Sequence, residues 1–175
     1  LIPAACVADV SRLPRLYTGA GYACFAGRAE AARVNARRAV ELEGDARYDP
    51  CEPGYAMFVE ALGQVYCGDL DRYIELTGEV VRRYGNDRGY GLASYVDGLQ
   101  SAGRIEEALE LTEESVAAAR RLGNPYWVAY ALWIAGMAFS RTNARRALAA
   151  WEEGVAFVHE HRVHFFEGFL ARDAA

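Results

Sequence analysis

His159, His161 and His164, in the stretch HEHRVH, are the only histidines of the chain. Imidazoles gathered in this way are the first place to look for a metal site or a proton shuttle. Residues two apart on a helix diverge by about 200°, so His159 and His161 share a ligand only if the helix ends between them. Polar histidines at a helix end are the simpler reading, and no metal is expected. Glu106, Glu107, Glu110, Glu113 and Glu114 offer paired carboxylates, the material of general acid–base chemistry. Nothing apolar surrounds them to raise a pKa, so they read as the solvated face of a helix. Gly19, Gly21 and Gly27 have the look of a nucleotide loop, but no strand pattern precedes them. The arginine pairs Arg37/Arg38, Arg82/Arg83 and Arg120/Arg121 fall late in their segments, where cations suit the negative end of a helix dipole, and they require no anionic ligand. All 19 basic residues are arginine. The absence of lysine removes the P-loop lysine, the kinase lysine and Schiff-base chemistry together. No nucleophile, base and orienting group can be placed together, so the chain reads as non-catalytic, with no cofactor in this region.

The elements that carry these residues must come from a chain of 175 residues, enough for one large domain, two small ones or a stack of repeats. Hydrophobic residues make up 53% and charged ones 25%, which permits a core and excludes wholesale disorder. A net charge of −5 and a pI near 5.3 argue against direct contact with nucleic acid, whose binders are usually basic. Cys6, Cys24, Cys51 and Cys67 form no CxxC and mostly sit among apolar residues, so they read as buried free thiols of a cytoplasmic protein. No signal peptide with a basic start is visible; Leu1 is not an initiator, so the chain reads as a piece of a larger protein. The uncharged run Tyr126 to Phe139 would span only about 21 Å as a helix, against about 30 Å of hydrocarbon, so a buried helix is expected and no membrane span.

The clearest element is Gly103 to Pro125. Ile105, Ala108, Leu109, Thr112, Val116 and Ala119 recur at steps of three and four, giving one buried stripe, with the acids opposite. Acids crowd the first half and Arg120 and Arg121 close it. Gly123 then stops the helix, and Asn124 and Pro125 start the next as N-cap and first-turn residues. The remainder follows the same plan. Leu1 to Ser11 reads as the tail of an earlier element. Pro14 opens a helix to about Ala26, with Leu16, Tyr17, Ala20, Ala23 and Cys24 inward. The hairpins fall at about 13–43, 53–84, 88–122 and 125–161, and a truncated helix occupies 163–175. Each turn has a glycine or its equivalent followed five residues later by the residue that fits the first helix: Gly27 and Ala32, Gly68 and Tyr73, Gly103 and Ala108, with Thr142 and Ala147 the weakest copy. Seven residues further on lie Ala39, Val80, Ser115 and Gly154, small for the most part because helices in close hairpins approach to about 8–10 Å. No period-two strand pattern is present. The expected fold is all-α, a solenoid of about four helical hairpins in one repeat domain covering 1–175.

GRIEEAL, after an aromatic-rich first helix, resembles a tetratricopeptide repeat. The likeness covers nearly the whole chain and is looser in the second hairpin, where Tyr73 replaces the small residue. NPYWVAYALWIAGMAF followed by RRALAAWEEGVAFVHEHR also resembles the repeat region of large bacterial LuxR-type regulators, in which an ATPase module, sometimes behind a cyclase-like domain, precedes the repeats and a helix-turn-helix DNA reader follows. That resemblance implies a sensor or interaction arm of a transcription regulator, meeting a protein or peptide partner, other domains of the same chain, or a small effector. None of that family's catalytic or DNA-contacting residues has a counterpart here. The alternative is a freestanding tetratricopeptide scaffold. In such arrays first helices line the concave side, which would place Tyr17, Tyr55, Phe58, Tyr66, Tyr90, Tyr130 and Trp133 there, with Asp97 and Gln100. Rings with a few polar groups suit peptide or ligand recognition; the competing reading is that they only fill gaps between hairpins. Phe165, Phe166, Phe169 and Leu170 are expected to leave an apolar C-terminal end through which the chain self-associates.

Overall fold

The computed structural model describes residues 12–43, 45–48, 53–86 and 89–175. Among them are nine α-helices and no strand, so the expected all-helical class holds. The helices are α1 (Leu13–Gly21), α2 (Ala29–Leu42), α3 (Tyr55–Tyr66), α4 (Leu70–Tyr84), α5 (Gly89–Ser101), α6 (Ile105–Leu122), α7 (Pro125–Ser140), α8 (Ala144–His161) and α9 (His164–Ala174). The chain divides into two compact units, one ending at Tyr84 and one comprising Gly85–Ala175. The tail read at Leu1 to Ser11, and Cys6 and Cys51, lie outside the described residues.

Three of the four hairpin turns share one chemistry. The Gly27 N–H donates to the Cys24 carbonyl (2.9 Å) and the Arg28 N–H to that of Ala23 (3.1 Å). Gly68 and Asp69 repeat the pair onto Val65 and Gln64, at 3.0 Å each, and Gly103 and Arg104 onto Gln100 (3.1 Å) and Leu99 (2.9 Å). This is the Schellman closure, which needs a left-handed residue at the glycine; φ there is 73°, 87° and 78°. The fourth turn lacks a glycine and is built otherwise. The Asn143 N–H bonds the Phe139 carbonyl at 2.7 Å, and the Asn143 side chain accepts from the Arg146 N–H at 3.1 Å to cap α8. Asn124 caps α7 as expected, accepting from the Tyr126 N–H at 3.0 Å.

In the first unit α1 packs on α2, α2 on α3 and α3 on α4. α3 is buried from Ala56 through Gln64, as its nearly all-round apolar text requires. A Cβ at Gly63 would lie 2.9 Å from the Arg33 Cα, so glycine sets how closely α2 and α3 approach. In the second unit α5 packs on α6 and α7, and α7 also meets α6, α8 and α9. α5, α7 and α9 thus form one layer, with α6 and α8 behind. The register read from the sequence is buried throughout: Ala32, Tyr73, Ala108 and Ala147 are at most 1% exposed, and Ala39, Val80, Ser115 and Gly154 are likewise buried.

Several local expectations are corrected. The first helix ends at Gly21 and continues as a 3-10 segment, Tyr22–Ala26. Its buried face is Leu13, Pro14, Tyr17, Thr18 and Gly21, so Leu16 points outward. Arg37 and Arg38 do not occupy the last turn of α2, which runs on to Leu42. Arg38 pairs with Glu41 at 2.6 Å, and Arg37 lies 3.6 Å from Glu60. Cys67 is an exposed free thiol because it sits at the C-cap of α3, beside the turn at Gly68. Cys24 is buried as expected, and burial pushes its thiol above the ordinary value. Phe166 and Leu170 are not an open end: they are 2% and 0% exposed, because α9 folds back onto α7 and α8, with Leu170 seated on Gly154.

α8 ends at Arg162, whose φ of 57° makes it the one non-glycine residue with positive φ among those described. The Val163 N–H donates to the Val158 carbonyl at 3.0 Å, the outer of the two bonds seen at the glycines, and the Arg162 N–H donates to the same carbonyl. A left-handed L-residue is strained by about 1–2 kcal/mol, and Gly carries a larger unfolded-state entropy. Arg162→Gly is therefore expected to stabilise the protein by about 1 kcal/mol; a lower melting temperature for the variant would contradict it.

Candidate functional site

The candidate site residues divide between the units. In the first, Tyr17 is buried against Leu13, Ala39, Leu42 and Ala56. Tyr55, Phe58 and Tyr66 are brought together with two rings that the sequence reading left out, Tyr22 and Phe25. The Tyr22 and Tyr55 hydroxyls hydrogen-bond, Tyr55 stacks on Phe58 with centroids 5.8 Å apart, and Phe25 meets the Tyr66 ring edge-on at 5.3 Å. Phe58 is buried and Tyr55 half-buried, whereas Phe25 and Tyr66 are 44% and 50% exposed.

In the second unit, Tyr90 is fully buried with its ring 5.1 Å from Trp127. Tyr130 is nearly buried, and its hydroxyl lies 3.0 Å from the Ser94 hydroxyl. Trp133, half-buried, donates its indole N–H to Asp173 at 2.8 Å. Arg172, and then this indole, hold the Asp173 carboxyl below its ordinary value. Gln100 is buried and donates to Asp97 at 3.3 Å, while its carbonyl oxygen has no partner among the described residues. Asp97 is half-buried.

The rings of α7 and α9 form one continuous surface. Phe166 lies 4.8 Å from Tyr126, 5.8 Å from Tyr130 and 6.1 Å from Trp133, and Phe169 lies 4.9 Å from Trp133. Phe165 is 5.8 Å from Tyr126. Buried rings form its base; Tyr126, Trp133 and Phe169, all half-buried, and Phe165, 47% exposed, form its open side. Sequence reasoning missed Tyr126, Trp127 and the α9 rings as members of one group. The signal is present in the spacing of Tyr126, Tyr130 and Trp133 at steps of four and three, but nothing local to α9 shows that it folds onto α7.

The histidines close the α8–α9 turn. His159 Nε2 lies 3.0 Å and His164 Nδ1 3.3 Å from opposite oxygens of Glu167, so this carboxylate is bridged by two imidazoles. No group of three or more His, Cys, Asp or Glu among the described residues is arranged to hold a metal ion. The hydrogen bonds from His164 and His159 hold the Glu167 carboxyl below its ordinary 4.5. Because the folded value is the lower one, this group contributes stability above pH 4.5 that is lost as pH falls through the depressed value. A carbon-detected titration is expected to place the Glu167 midpoint below 4.5, and to return it upward when His159 and His164 are both changed to Gln; an unmoved midpoint would show that the imidazoles do not act on it.

The acids of α6 are surface groups as read: Glu107 pairs with Arg104 at 2.6 Å and Glu114 with Arg121 at 2.6 Å. No helix of the described residues is long and apolar enough to cross a membrane. No protein-family model, curated protein or solved structure matches the chain.

Proposed function

We propose that the chain is a non-catalytic, tetratricopeptide-like interaction module that takes a protein or peptide partner, and that it serves a LuxR-type transcription regulator. The observation that carries the reading is the recurrence of one hairpin design: the same two backbone bonds close the turns at Gly27, Gly68 and Gly103, and the positions five and twelve residues beyond each are buried. Units of this kind cannot hide an apolar face alone and are stabilised by stacking, which leaves extended surfaces free for partners. The groups with shifted pKa are mostly exposed carboxylates and arginines in pairs along helix surfaces, such as Glu107 with Arg104, chemistry that suits a scaffold.

The contact face is the aromatic surface of α7 and α9, where Tyr126, Trp133, Phe165 and Phe169 offer rigid apolar area that loses little conformational freedom on binding. Peptides selected against the folded chain from a display library test this. Phe165→Ser and Trp133→Phe are expected to weaken the selected peptides while far-UV circular dichroism stays unchanged, and undiminished binding by both variants would remove this face from consideration. The regulator context is tested by the reading frame on either side. An upstream nucleotide-binding ATPase and a downstream helix-turn-helix support it, and flanks with neither leave a freestanding scaffold.

A further inference from the structure

Behind the aromatic surface, on the other side of α7, the second unit holds a slot between α6 and α8 with a volume of about 300 Å³. Its floor is α7, through Leu132, Ala135 and Phe139, with Val116 of α6 and Ala150 of α8 on either side. Two ion pairs cross its mouth. Arg146 of α8 reaches Glu113 of α6 at 2.5 Å, and Arg120 of α6 pairs with Glu153 of α8. Each helix supplies one acid and one base seven residues apart, two turns along the same face, so the crossings run in opposite senses.

We propose that this slot binds a small amphipathic carboxylic acid, with its hydrocarbon part on the apolar floor and its carboxylate on Arg146. The asymmetry of the Arg146 pair selects an anion. The guanidinium carbon lies 3.9 Å from the centroid of the Phe139 ring, which fixes the cation against the slot floor. Its partner Glu113 has a side chain 79% exposed, against 48% for Arg146, so the carboxylate is the half of the pair that stands out in water. Exposed pairs of this kind contribute little to stability. An incoming carboxylate can therefore replace that of Glu113 on the planar guanidinium fork. The volume lies at the lower end for small-molecule sites and sets a short chain or a single ring as the apolar part. The slot uses none of the rings of the proposed peptide face, and its assignment stands whether or not that face takes a peptide.

Titration of the whole chain with octanoate, octanol and octylammonium, followed by amide shifts and calorimetry, tests the proposal. Octanoate is expected to saturate a single site with shifts centred on Val116, Ala135 and Ala150, about tenfold more tightly than either analogue. Arg146→Gln, which changes no residue of α7, is expected to reduce octanoate to the affinity of octanol. Ala135→Leu, which fills the floor, is expected to remove all three ligands. Equal affinity for octanoate and octanol, shifts centred elsewhere, no saturable binding of octanoate, or octanoate binding unchanged in Arg146→Gln would each overturn it.

Discussion

Tyr90→Ala is expected to lower the free energy of unfolding by about 3–5 kcal/mol, the range for emptying a fully buried aromatic site. The side chain is 0% exposed, and its ring packs 5.1 Å from Trp127, which in turn stands edge-on to Tyr130 at 6.2 Å. Removing it leaves a cavity beside Trp127, which is itself buried. Helical walls relax only partly around such a gap, so both the transfer and the cavity contributions are lost. Urea unfolding followed by circular dichroism measures the effect. The choice between packing and recognition raised by the sequence becomes sharp at this residue. A Tyr90→Ala protein that melts like the parent but loses peptide binding would mean that the ring serves a groove. Trp133 is the contrasting case, since its ring is partly open to solvent and its N–H is held by Asp173.

Gly136→Ala is expected to destabilise by about 1–3 kcal/mol through overpacking, although alanine is the better helix former by about 1 kcal/mol. A Cβ at this position would lie 2.1 Å from Trp151 Nε1, 2.3 Å from Cδ1 and 2.5 Å from Cε2. The indole would have to swing away. That would break its hydrogen bond to the Trp133 carbonyl at 3.2 Å and its packing on the buried cluster of Ala135, Phe139 and Ala147. Gly168→Ala is the matched control. Nothing lies within 4 Å of a Cβ there, so helix propensity acts alone and stability is expected to rise by up to about 1 kcal/mol. Opposite shifts in melting temperature for the two substitutions are the expected result, and a Gly136→Ala protein more stable than the parent would refute the close approach of α7 and α8 at this point.

The helix stops and starts were legible because they depend on residues close in sequence. Gly27, Gly68, Gly103 and Gly123 all take the left-handed conformation that ends a helix, and Asn124 with Pro125 begins the next. The register of small residues was legible for the same reason, since 3.6-residue periodicity alone puts Ala108, Thr112, Ser115 and Ala119 toward one side. The candidate site was less so. Tyr17, Phe58 and Tyr90 read no differently from Tyr66 in the sequence, yet the first three are buried and the last is half exposed. A ring on a first helix packs or stays open according to which neighbour crosses it, and no local pattern encodes that neighbour.

What the amino-acid sequence determined by itself is therefore the helical class, the hairpin boundaries and the turn chemistry, all governed by interactions within a few residues. Tertiary structure alone decided that α9 turns Phe166 and Leu170 inward and joins the α7 rings, that Cys67 and Leu16 face outward, and that Glu113 and Arg146, 33 residues apart, meet across a slot. The physical reason is that hydrophobic burial is non-directional: periodicity says that a face will be covered, while the element that covers it is selected by the packing of the helices around it.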